Sequence, residues 1–314
     1  METLISSLST QHAYPIVHAS DISAARRAGQ RLAIELGFNE TRAGQLALIV
    51  TEAGTNLLKH AGEGMLYLNV AQSEGVPGVD VLAVDKGPGI ADVDACLRDG
   101  MSTAGTAGTG LGALRRLSDE FDVWSALGDG ALFFMRLWRD EAGPGLCRID
   151  VGALTVPLAG EDACGDGWGV ACDPAGATLL AVDGLGHGPL AALAAQAALG
   201  QLQRLPSSEP GPLVDAAHDA LRSTRGAALA AARIDFDNDV VRFAGIGNIG
   251  AYVIDGDSRR ALVSHNGIVG HNMRKVQEFS VPCAPGALCI LHSDGIQTQW
   301  DLDKYPGLTS RSPA

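Results

Sequence analysis

A carboxylate and a carboxamide stand four residues apart in an otherwise apolar stretch of the chain. Glu52 and Asn56 follow the run 46–50 (LALIV) and precede Leu57 and Leu58. Residues four apart lie on one face of a helix, so both side chains project from the same half-buried face. Polar groups in such a place need partners. Either the two residues satisfy each other in the core, or they serve a ligand.

Two glycine-rich segments follow this helix. Asp85-Lys-Gly-Pro-Gly-Ile90 ends an apolar strand, so Asp85 projects where the sheet stops, and the two glycines leave room for a flat ligand against the backbone. The segment 104–112 (AGTAGTGLG) opens onto a short helix, whose free N–H groups suit a phosphate. It lacks the Gly-Lys-Ser/Thr ending of a Walker A loop, and no hydrophobic first strand directly precedes it as in a dinucleotide fold.

In this order, the three features resemble the GHKL ATPase fold of histidine kinases, gyrase and Hsp90. The strings EAGTNLLKHA and DKGPGIADVDACLRDGMSTAGTAGTGLGALRRLSDEFDV are similar to the RsbT-like members of the anti-sigma-factor serine kinases of the RsbT and RsbW group, over nearly all of 10–140. The resemblance implies that Asn56 holds the Mg²⁺ that bridges the ATP phosphates and that Glu52 is the general base for a protein serine. It implies that Asp85 accepts a hydrogen bond from the adenine amino group. The nucleotide-contacting residues that it implies are Asn56, Asp85, Gly87, Gly89, Gly108, Thr109, Gly110, Leu111 and Gly112.

Three aspartates beside glycine mark strand ends later in the chain. Asp166 precedes one strand, Asp183 ends the next, and Asp294 follows the apolar run 287–291. Carboxylates and backbone carbonyls that converge at strand ends suit hard cations such as Mg²⁺ or Mn²⁺. Any one of the three could be an independent turn, whereas the ordered set favours a metal centre. His187 is either a structural residue at a helix start or a group that assists as an acid or contacts phosphate.

The strings CGDGW, VDGLGHG, AGIGNI and LHSDGI resemble the RsbX-like members of the SpoIIE-type metal-dependent serine phosphatases. The resemblance implies that Asp183 bridges two metal ions, that the Gly184 carbonyl adds a ligand, and that Asp166 and Asp294 complete the site for hydrolysis of a phosphoserine. Members of that family continue past WDLDKYPGL with a helix and a last strand that carries an Asp-Asp pair. This sequence has no such strand, so the resemblance leaves the metal site one carboxylate short.

The elements that position these residues fall into two predicted domains of an α+β chain. We expect a GHKL ATPase/serine kinase domain over 1–140, a linker at 141–147, and a SpoIIE-type phosphatase domain lacking its final strand over 148–314. The first is predicted as an α/β sandwich with one mixed sheet and helices on one face. Its first helix is expected to be capped by Ser20 or Asp21 and to run to about Leu36. Its second helix is expected to be capped by Asn39 and to run to about His60. The second is predicted as a PPM/SpoIIE-type α-β-β-α sandwich.

Composition excludes several classes of function. The 314 residues carry a formal net charge of −13, which disfavours nucleic acid as the main partner. No run of 18 apolar residues and no basic leader is present, so we expect a cytoplasmic protein without a membrane span. Six cysteines form no C-x-x-C pair, as expected for reduced thiols.

These observations support one main hypothesis and two alternatives. The first is an ATP-dependent serine kinase fused to a Mg²⁺- or Mn²⁺-dependent phosphatase, both acting on one serine of a STAS-domain antagonist in a partner-switching (stress or sigma-factor) pathway. The second is an ATP-binding module that activates a partner, such as a downstream phosphatase or sigma-factor regulator, beside a degenerate phosphatase half. The third, a small-molecule ATPase, has no further substrate motif to support it.

Overall fold

A computed structural model describes residues 3–6, 11–73, 75–97, 110–141, 148–161, 163–273, 275–297 and 299–313. The chain divides into two compact units, each built from two stretches of sequence. The first unit is Thr10–Gly152 with Asp301–Ala314, and the second unit is Met1–Ser9 with Ala153–Trp300. The predicted linker, 141–147, lies mostly outside the described residues and stays a prediction. The linear division into 1–140 and 148–314 differs from the structure at both ends of the chain.

The strands are β1 (Thr3–Ser6), β2 (Gln11–Ile16), β3 (Gly64–Ser73), β4 (Val76–Asp85), β5 (Glu120–Ala126), β6 (Gly130–Trp138), β7 (Asp166–Asp173), β8 (Gly176–Gly184), β9 (Ala227–Asp235), β10 (Val240–Ile246), β11 (Gly250–Asp255), β12 (Ser258–Ala261), β13 (Phe279–Pro282) and β14 (Leu288–His292). The helices are α1 (Ala19–Glu35), α2 (Glu40–Asn56), α3 (Val93–Leu97), α4 (Gly110–Leu117), α5 (Pro189–Arg204) and α6 (Pro210–Leu221). A π-helical turn, Leu57–Ala61, follows α2, and short 3-10 turns cover Leu302–Lys304 and Leu308–Ser310.

The first unit contains a five-stranded sheet in the order β2-β3-β4-β6-β5, and every neighbouring pair is antiparallel. The predicted mixed sheet was therefore wrong. Two helices rather than one connect β2 to β3, so the chain returns to the end of the sheet at which β2 finishes. Ile16 at the end of β2 therefore pairs with Gly64 at the start of β3. Although β5 runs parallel to β4, β6 lies between them.

Helices α1 and α2 pack on one face of this sheet, as predicted. Helix α1 begins after His18, and Asp21 accepts the N–H of His18 at 2.8 Å, so Asp21 lies in the first turn and is not the cap. Asn39 caps α2 through the N–H of Arg42 at 2.9 Å, as predicted. Helix α2 ends at Asn56, earlier than expected. The wholly or largely buried core includes Ile16, Leu32, Leu46, Ile49, Val50, Leu66, Leu68, Val79, Val81, Phe133, Met135 and Leu137.

Arg42 fixes the start of α2 to the end of the sheet. Its Nε and Nη2 donate to the carbonyl oxygen of Trp138 at 3.0 and 2.6 Å, and Nη2 also forms an ion pair with Asp119. Asp119 accepts the N–H of Trp138 at 2.7 Å as well. The buried guanidinium of Arg42 therefore joins α2, the end of β6 and the turn that precedes β5.

The segment 301–313 packs on the outer face of β5, within the first unit. The ring of Tyr305 meets Trp124 edge-on at 5.7 Å, and Trp124 Nε1 donates to the carbonyl of Pro306 at 3.2 Å. Asp122 accepts the N–H of Ser312 at 2.8 Å. Residues predicted to belong to the second domain thus complete the first unit.

The second unit contains a six-stranded sheet, β1-β7-β8-β9-β10-β13, and a three-stranded sheet, β12-β11-β14. Strand β9 is buried on both faces, because Leu229 and Ala231 pack with α5 and α6 while Ala230 and Ala232 pack in the core cluster that also contains Ala251 of β11. In the described part of this unit, α5 and α6 supply a helix layer on the six-stranded sheet. No described helix combines the length and the apolar character that crossing a bilayer requires.

A buried ion pair stabilises the six-stranded sheet. Arg233 donates to Thr178 Oγ1 and to Asp173 Oδ2, both at 2.8 Å. Burial acts to raise the pKa of Asp173, but hydrogen bonds from Ser207 and Arg233 outweigh it and lower the pKa to about 2. Asp173 is therefore ionised in the folded protein well into the acid range.

Candidate functional site

In the first unit, the strongest indication of a ligand site is a buried side-chain amide group that has no hydrogen-bond partner among the described residues. Asn56 is the last residue of α2, and its side-chain Nδ2 is buried without a hydrogen-bond partner among the described residues. An unmade hydrogen bond in the interior is costly, so such a group marks a place where a partner is expected to bind. Glu52 lies one turn earlier and is half-buried. The π-helical turn directly after Asn56 is a feature that often occurs at functional sites.

Asp85 is the last residue of β4, as the sequence predicted. One carboxylate oxygen, Oδ1, accepts the N–H of Gly87 at 2.8 Å, which fixes the side chain at the sheet edge. A carboxylate that accepts this one hydrogen bond keeps further lone pairs on both oxygens, so it can also accept from a ligand. This is the chemistry that recognition of an amino group requires.

Gly87 and Gly89 are pressed against the protein's own chain. A Cβ at Gly89 would lie 2.1 Å from the carbonyl oxygen of Ala126, and φ is +73°. A Cβ at Gly87 would lie 2.8 Å from the Cβ of Ala61. These glycines were predicted to leave room for a ligand, whereas in the structure they allow the loop to pack closely against neighbouring backbone and side-chain atoms. Their contact with a nucleotide stays a prediction.

The glycine-rich segment is described only from α4 onward. Gly108 and Thr109 lie outside the described residues, and α4 begins at Gly110. Leu111 is half-buried, Gly112 is buried, and α4 packs against α2. The helix expected to receive phosphate therefore adjoins the helix that presents Asn56.

His60 is a neighbour of Asp85 that sequence reasoning missed. It lies in the π-helical turn, where burial lowers its pKa first, the charge of Lys59 lowers it further, and the charge of Asp85 raises it. A regular helix through His60 was expected, and the π-helical turn changes the direction of every side chain after Asn56. The sequence signal for His60 was the Lys59-His60 pair, three and four residues after Asn56.

In the second unit, strand pairing brings two of the predicted aspartates together. Asp166 of β7 is the register partner of Asp183 of β8, and their side chains share a hydrogen bond. Burial and the charges of Asp166 and Asp294 raise the pKa of Asp183 to about 6. Burial also raises the pKa of Asp166. Each of these carboxylates makes ionisation of the other less favourable. A cation bound between them is therefore favoured, because it offsets the repulsion between their negative charges.

Neighbouring side chains hold these carboxylates. Ser293 Oγ donates to Asp166 Oδ2 at 2.6 Å, and Asn248 Nδ2 donates to Asp294 Oδ2 at 3.0 Å. Asn248 lies in the turn before β11, so three strand ends and two turns meet here. Ser293 was not singled out from the sequence, although it directly precedes Asp294.

An aromatic cluster stands behind Ser293. Trp300 Nε1 donates to His292 Nε2 at 3.0 Å, so the other ring nitrogen of His292 carries the proton and donates to the Ser293 carbonyl at 2.8 Å. Tyr252 stacks on His292 at 5.9 Å, and the Arg259 guanidinium lies over the Tyr252 and Trp300 rings at 4.3 and 4.0 Å. Sequence reasoning missed this support because its members lie on different strands and loops.

The donor set fits Mg²⁺ or Mn²⁺ in its chemistry. The carboxylates are hard oxygen ligands whose charges already oppose one another. Across the described ranges, however, no three His, Cys, Asp or Glu side chains stand in an arrangement that would itself hold a metal ion. At Gly184 a Cβ would lie 2.2 Å from the Ala191 carbonyl oxygen, so the backbone runs close to α5, and the ligand role of its own carbonyl stays a prediction.

His187 is paired with a residue that the sequence argument did not name. Its Nδ1 lies 2.5 Å from Glu161 Oε1, and two-thirds of its side chain is exposed. A Cβ at Gly188, the residue before α5, would lie 2.5 Å from Glu161 Oε2, so the carboxylate is close to the N-terminal end of this helix. Among the described residues, His187 makes no hydrogen bond to the three aspartates. Its catalytic role stays a prediction.

Two family models match the chain in succession. Residues 18–132 match a model described as "Histidine kinase-like ATPase domain", and residues 173–306 match "Stage II sporulation protein E (SpoIIE)". The chain is 37% identical over 110 residues to the serine/threonine-protein kinase RsbT of Bacillus subtilis (strain 168), covering 35% of this chain and 83% of RsbT. It is 22% identical over 139 residues to the phosphoserine phosphatase RsbX of the same organism, covering 44% of this chain and 69% of RsbX.

Solved structures similar to parts of the chain include one described as "The bacterial stressosome: a modular system that has been adapted to control secondary messenger signaling". That chain has 31% identity and a TM-score of 0.47, with coverage of 48% of this chain and 80% of its own. Another is RsbX in complex with magnesium, with 20% identity, a TM-score of 0.45, and coverage of 48% and 76%. The chain belongs to the family of the serine/threonine-protein kinase RsbT through its histidine kinase-like ATPase domain, which is fused to an RsbX-like SpoIIE domain.

Proposed function

We propose that this protein is an ATP-dependent protein serine kinase and a metal-dependent phosphoserine phosphatase, which act on the same serine of a STAS-domain protein in partner switching. The observation that carries the kinase assignment is the buried, unpartnered Nδ2 of Asn56 on the helix that presents Glu52. The similarity to RsbT and RsbX supports the pairing of opposed activities. One serine as the common target explains why both activities would be kept in one chain.

In the kinase direction, Asp85 accepts a hydrogen bond from the adenine amino group of ATP, and Asn56 binds at the ATP phosphates. When bound, Mg²⁺ neutralises charge on the transferred phosphoryl group. Glu52 orients the serine hydroxyl and takes its proton as the bond from the serine oxygen to the γ-phosphorus forms. The bond from that phosphorus to the ADP oxygen breaks, and ADP leaves. Phosphate-binding N–H groups at the start of α4 complete this arrangement.

In the phosphatase direction, Asp166, Asp183 and Asp294 hold the metal ions with the carbonyl of Gly184. When bound, the ions polarise the phosphoryl oxygens and activate water. As the water oxygen gives up a proton and bonds to phosphorus, the bond between phosphorus and the serine oxygen breaks. A proton returns to the serine oxygen, and inorganic phosphate leaves. His187 is the proposed acid for this proton.

Transfer of labelled γ-phosphate from ATP to a purified STAS-domain protein tests the kinase assignment. We expect Glu52→Gln to retain ATP binding and to lose transfer by roughly 100-fold or more, because a positioned base contributes about that factor. Asn56→Ala is expected to lose Mg²⁺-dependent ATP binding. Glu40→Gln is the matched control, since Glu40 is an exposed glutamate at the start of the same helix. Unchanged ATP affinity in Asn56→Ala would contradict the nucleotide site.

Hydrolysis of p-nitrophenyl phosphate and of the phosphorylated STAS protein with Mn²⁺ tests the phosphatase assignment. We expect turnover that Asp183→Asn abolishes. Absence of turnover in the wild-type chain would favour the alternative, an ATP-binding module that activates a partner beside a degenerate phosphatase half. The observation on the side of that alternative is that the carboxylates do not converge as a group of three in the described ranges.

A further inference from the structure

The strand order places a positively charged side chain, that of Arg225, at the edge of the sheet where the aspartates lie. Strand β8 ends at Asp183 and Gly184, which pair with Ala228 and Ala227 at the start of β9. Arg225 is two residues before β9 and therefore emerges at the same edge. The N–H of Leu185, in the loop after β8, donates to the Gly226 carbonyl at 3.0 Å, so the two connections are directly hydrogen-bonded.

The guanidinium of Arg225 reaches over the loop after Asp183. A Cβ placed on Gly186 would lie 2.9 Å from Arg225 Nη1, and Gly186 has φ +93°. Arg225 is exposed and makes no hydrogen bond or ion pair with any residue that the structure describes. Its charge is therefore not used to hold the fold, in contrast to the buried Arg42 and Arg233.

The turn that carries Arg225 is held on both sides. Thr224 Oγ1 donates to the Leu221 carbonyl at 2.8 Å and accepts the N–H of Gly226 at 3.0 Å. The carbonyl of Thr224 lies 3.1 Å from His271 Nε2. A Cβ at Gly226 would lie 2.7 Å from the Val269 carbonyl oxygen, so the backbone there is tightly packed. The long side chain is thus presented from a fixed position.

We propose that Arg225 binds the phosphoryl group of the phosphoserine substrate at the mouth of the aspartate site, an inference that rests on the proposed phosphatase function. A phosphate monoester brings two negative charges to an edge that already carries three carboxylates. A guanidinium offers two parallel N–H groups that match two phosphoryl oxygens. Arg225 therefore selects a doubly charged phosphate ester, whereas the aspartates and Gly184 hold the metal ions.

Two measurements on the full chain test this role. In Mn²⁺-dependent hydrolysis of p-nitrophenyl phosphate, we expect Arg225→Ala to raise KM roughly 10- to 100-fold and to leave kcat within about threefold, as expected for a lost charge-assisted hydrogen bond to substrate. Arg225→Lys is expected to recover part of the loss, because lysine keeps the charge without the fork. Arg222→Ala is the matched control: Arg222 is an exposed arginine three residues earlier, paired with Asp219.

The second measurement needs no turnover. Calorimetric titration with phenylphosphonate, a phosphate-monoester analogue that is not hydrolysed, should show binding that Arg225→Ala weakens by the same factor, and binding of singly charged benzenesulfonate should be weaker throughout. Unchanged KM and unchanged phenylphosphonate affinity in Arg225→Ala would overturn the role of Arg225. Wild-type binding that depends on Arg225 without any hydrolysis would support the phosphate site and contradict the phosphatase. Neither binding nor hydrolysis in the wild type would contradict both.

Discussion

Replacement of Arg42 by alanine is expected to cost the first unit about 3 kcal/mol of unfolding free energy. The side chain of Arg42 is 5% exposed and that of Asp119 is 27% exposed. The substitution removes two donors from the Trp138 carbonyl and the cation from beside Asp119. Breaking a buried pair costs about 3 to 5 kcal/mol, and we take the lower end because Asp119 keeps the Trp138 N–H and some contact with water. For a unit of this size, the loss corresponds to a melting temperature lower by roughly 6 to 12 °C.

Hydrogen exchange of amides in β4 and β6 measures this loss in the first unit itself. Asp119→Asn and the double variant complete a thermodynamic cycle, in which we expect a coupling energy of about 1 kcal/mol or more. Arg27→Ala, which changes an exposed arginine on α1, is the control. A loss below about 1 kcal/mol, or a coupling energy near zero, would refute the conclusion that this pair fixes α2 to the sheet. Because α2 also presents Asn56, ATP affinity should fall with the stability.

Three further results are expected. The free energy of unfolding of the second unit should fall by about 2 kcal/mol between pH 4 and pH 2, because the pKa of Asp173 beside Arg233 is about 2 in the folded protein against an ordinary 3.8, and the stability that ionised Asp173 confers is lost as that carboxyl is protonated. Ser293→Ala should weaken Mn²⁺ binding, measured by electron paramagnetic resonance, several-fold, because the hydroxyl that holds Asp166 is gone. Gly89→Ala should lower stability by more than about 2 kcal/mol in thermal unfolding, because the new methyl would overlap a carbonyl.

Each of these results has a matched comparison. Asp173→Asn should remove the acid-dependent part of the loss, and a profile that it leaves unchanged would show that another group is responsible. Ser293→Thr keeps the hydroxyl and should restore Mn²⁺ affinity, whereas equal affinities in all three proteins would remove Ser293 from the positioning role. Gly75→Ala has the same sign of φ with no atom within 4 Å, so it should cost less than Gly89→Ala. Equal costs would mean that strain in φ alone, and not the close approach, sets the penalty.

Local rules were enough for some elements of the fold. Asn39 was predicted as the cap of α2 because its side chain can accept a nearby backbone N–H, a contact within one turn of the chain. Asp85, Asp166 and Asp183 were predicted at strand ends because each stands beside glycine where an apolar run begins or stops, and the structure has them there. Their roles toward nucleotide and metal stay predictions.

Contacts between distant parts of the chain could not be read from local patterns. The antiparallel direction of β3 depends on how two helices turn back together, and hydrophobic periodicity carries no such information. The end of α2 at Asn56 was missed because the π-helical turn that follows has helix-forming residues. The support of Ser293 by His292 and Trp300 combines hydrogen bonds with stacking on Tyr252 of another strand. The spacing of residues in the sequence carries no signal of such contacts between distant side chains.

The exchange of chain ends between the two units has a consequence for folding on the ribosome. The outer face of β5 is covered by residues 301–313, which are synthesised after the whole stretch 153–300. At ordinary rates of synthesis, the roughly 160 residues between β6 and this segment take about 8 to 30 s to appear. During that time the first unit has its complete sheet sequence but exposes Trp124. Conversely, β7 emerges when its edge partner β1 has already been synthesised. The first unit is therefore completed only when its C-terminal segment has been synthesised. The second unit is completed by an N-terminal strand that was synthesised before the rest of that unit.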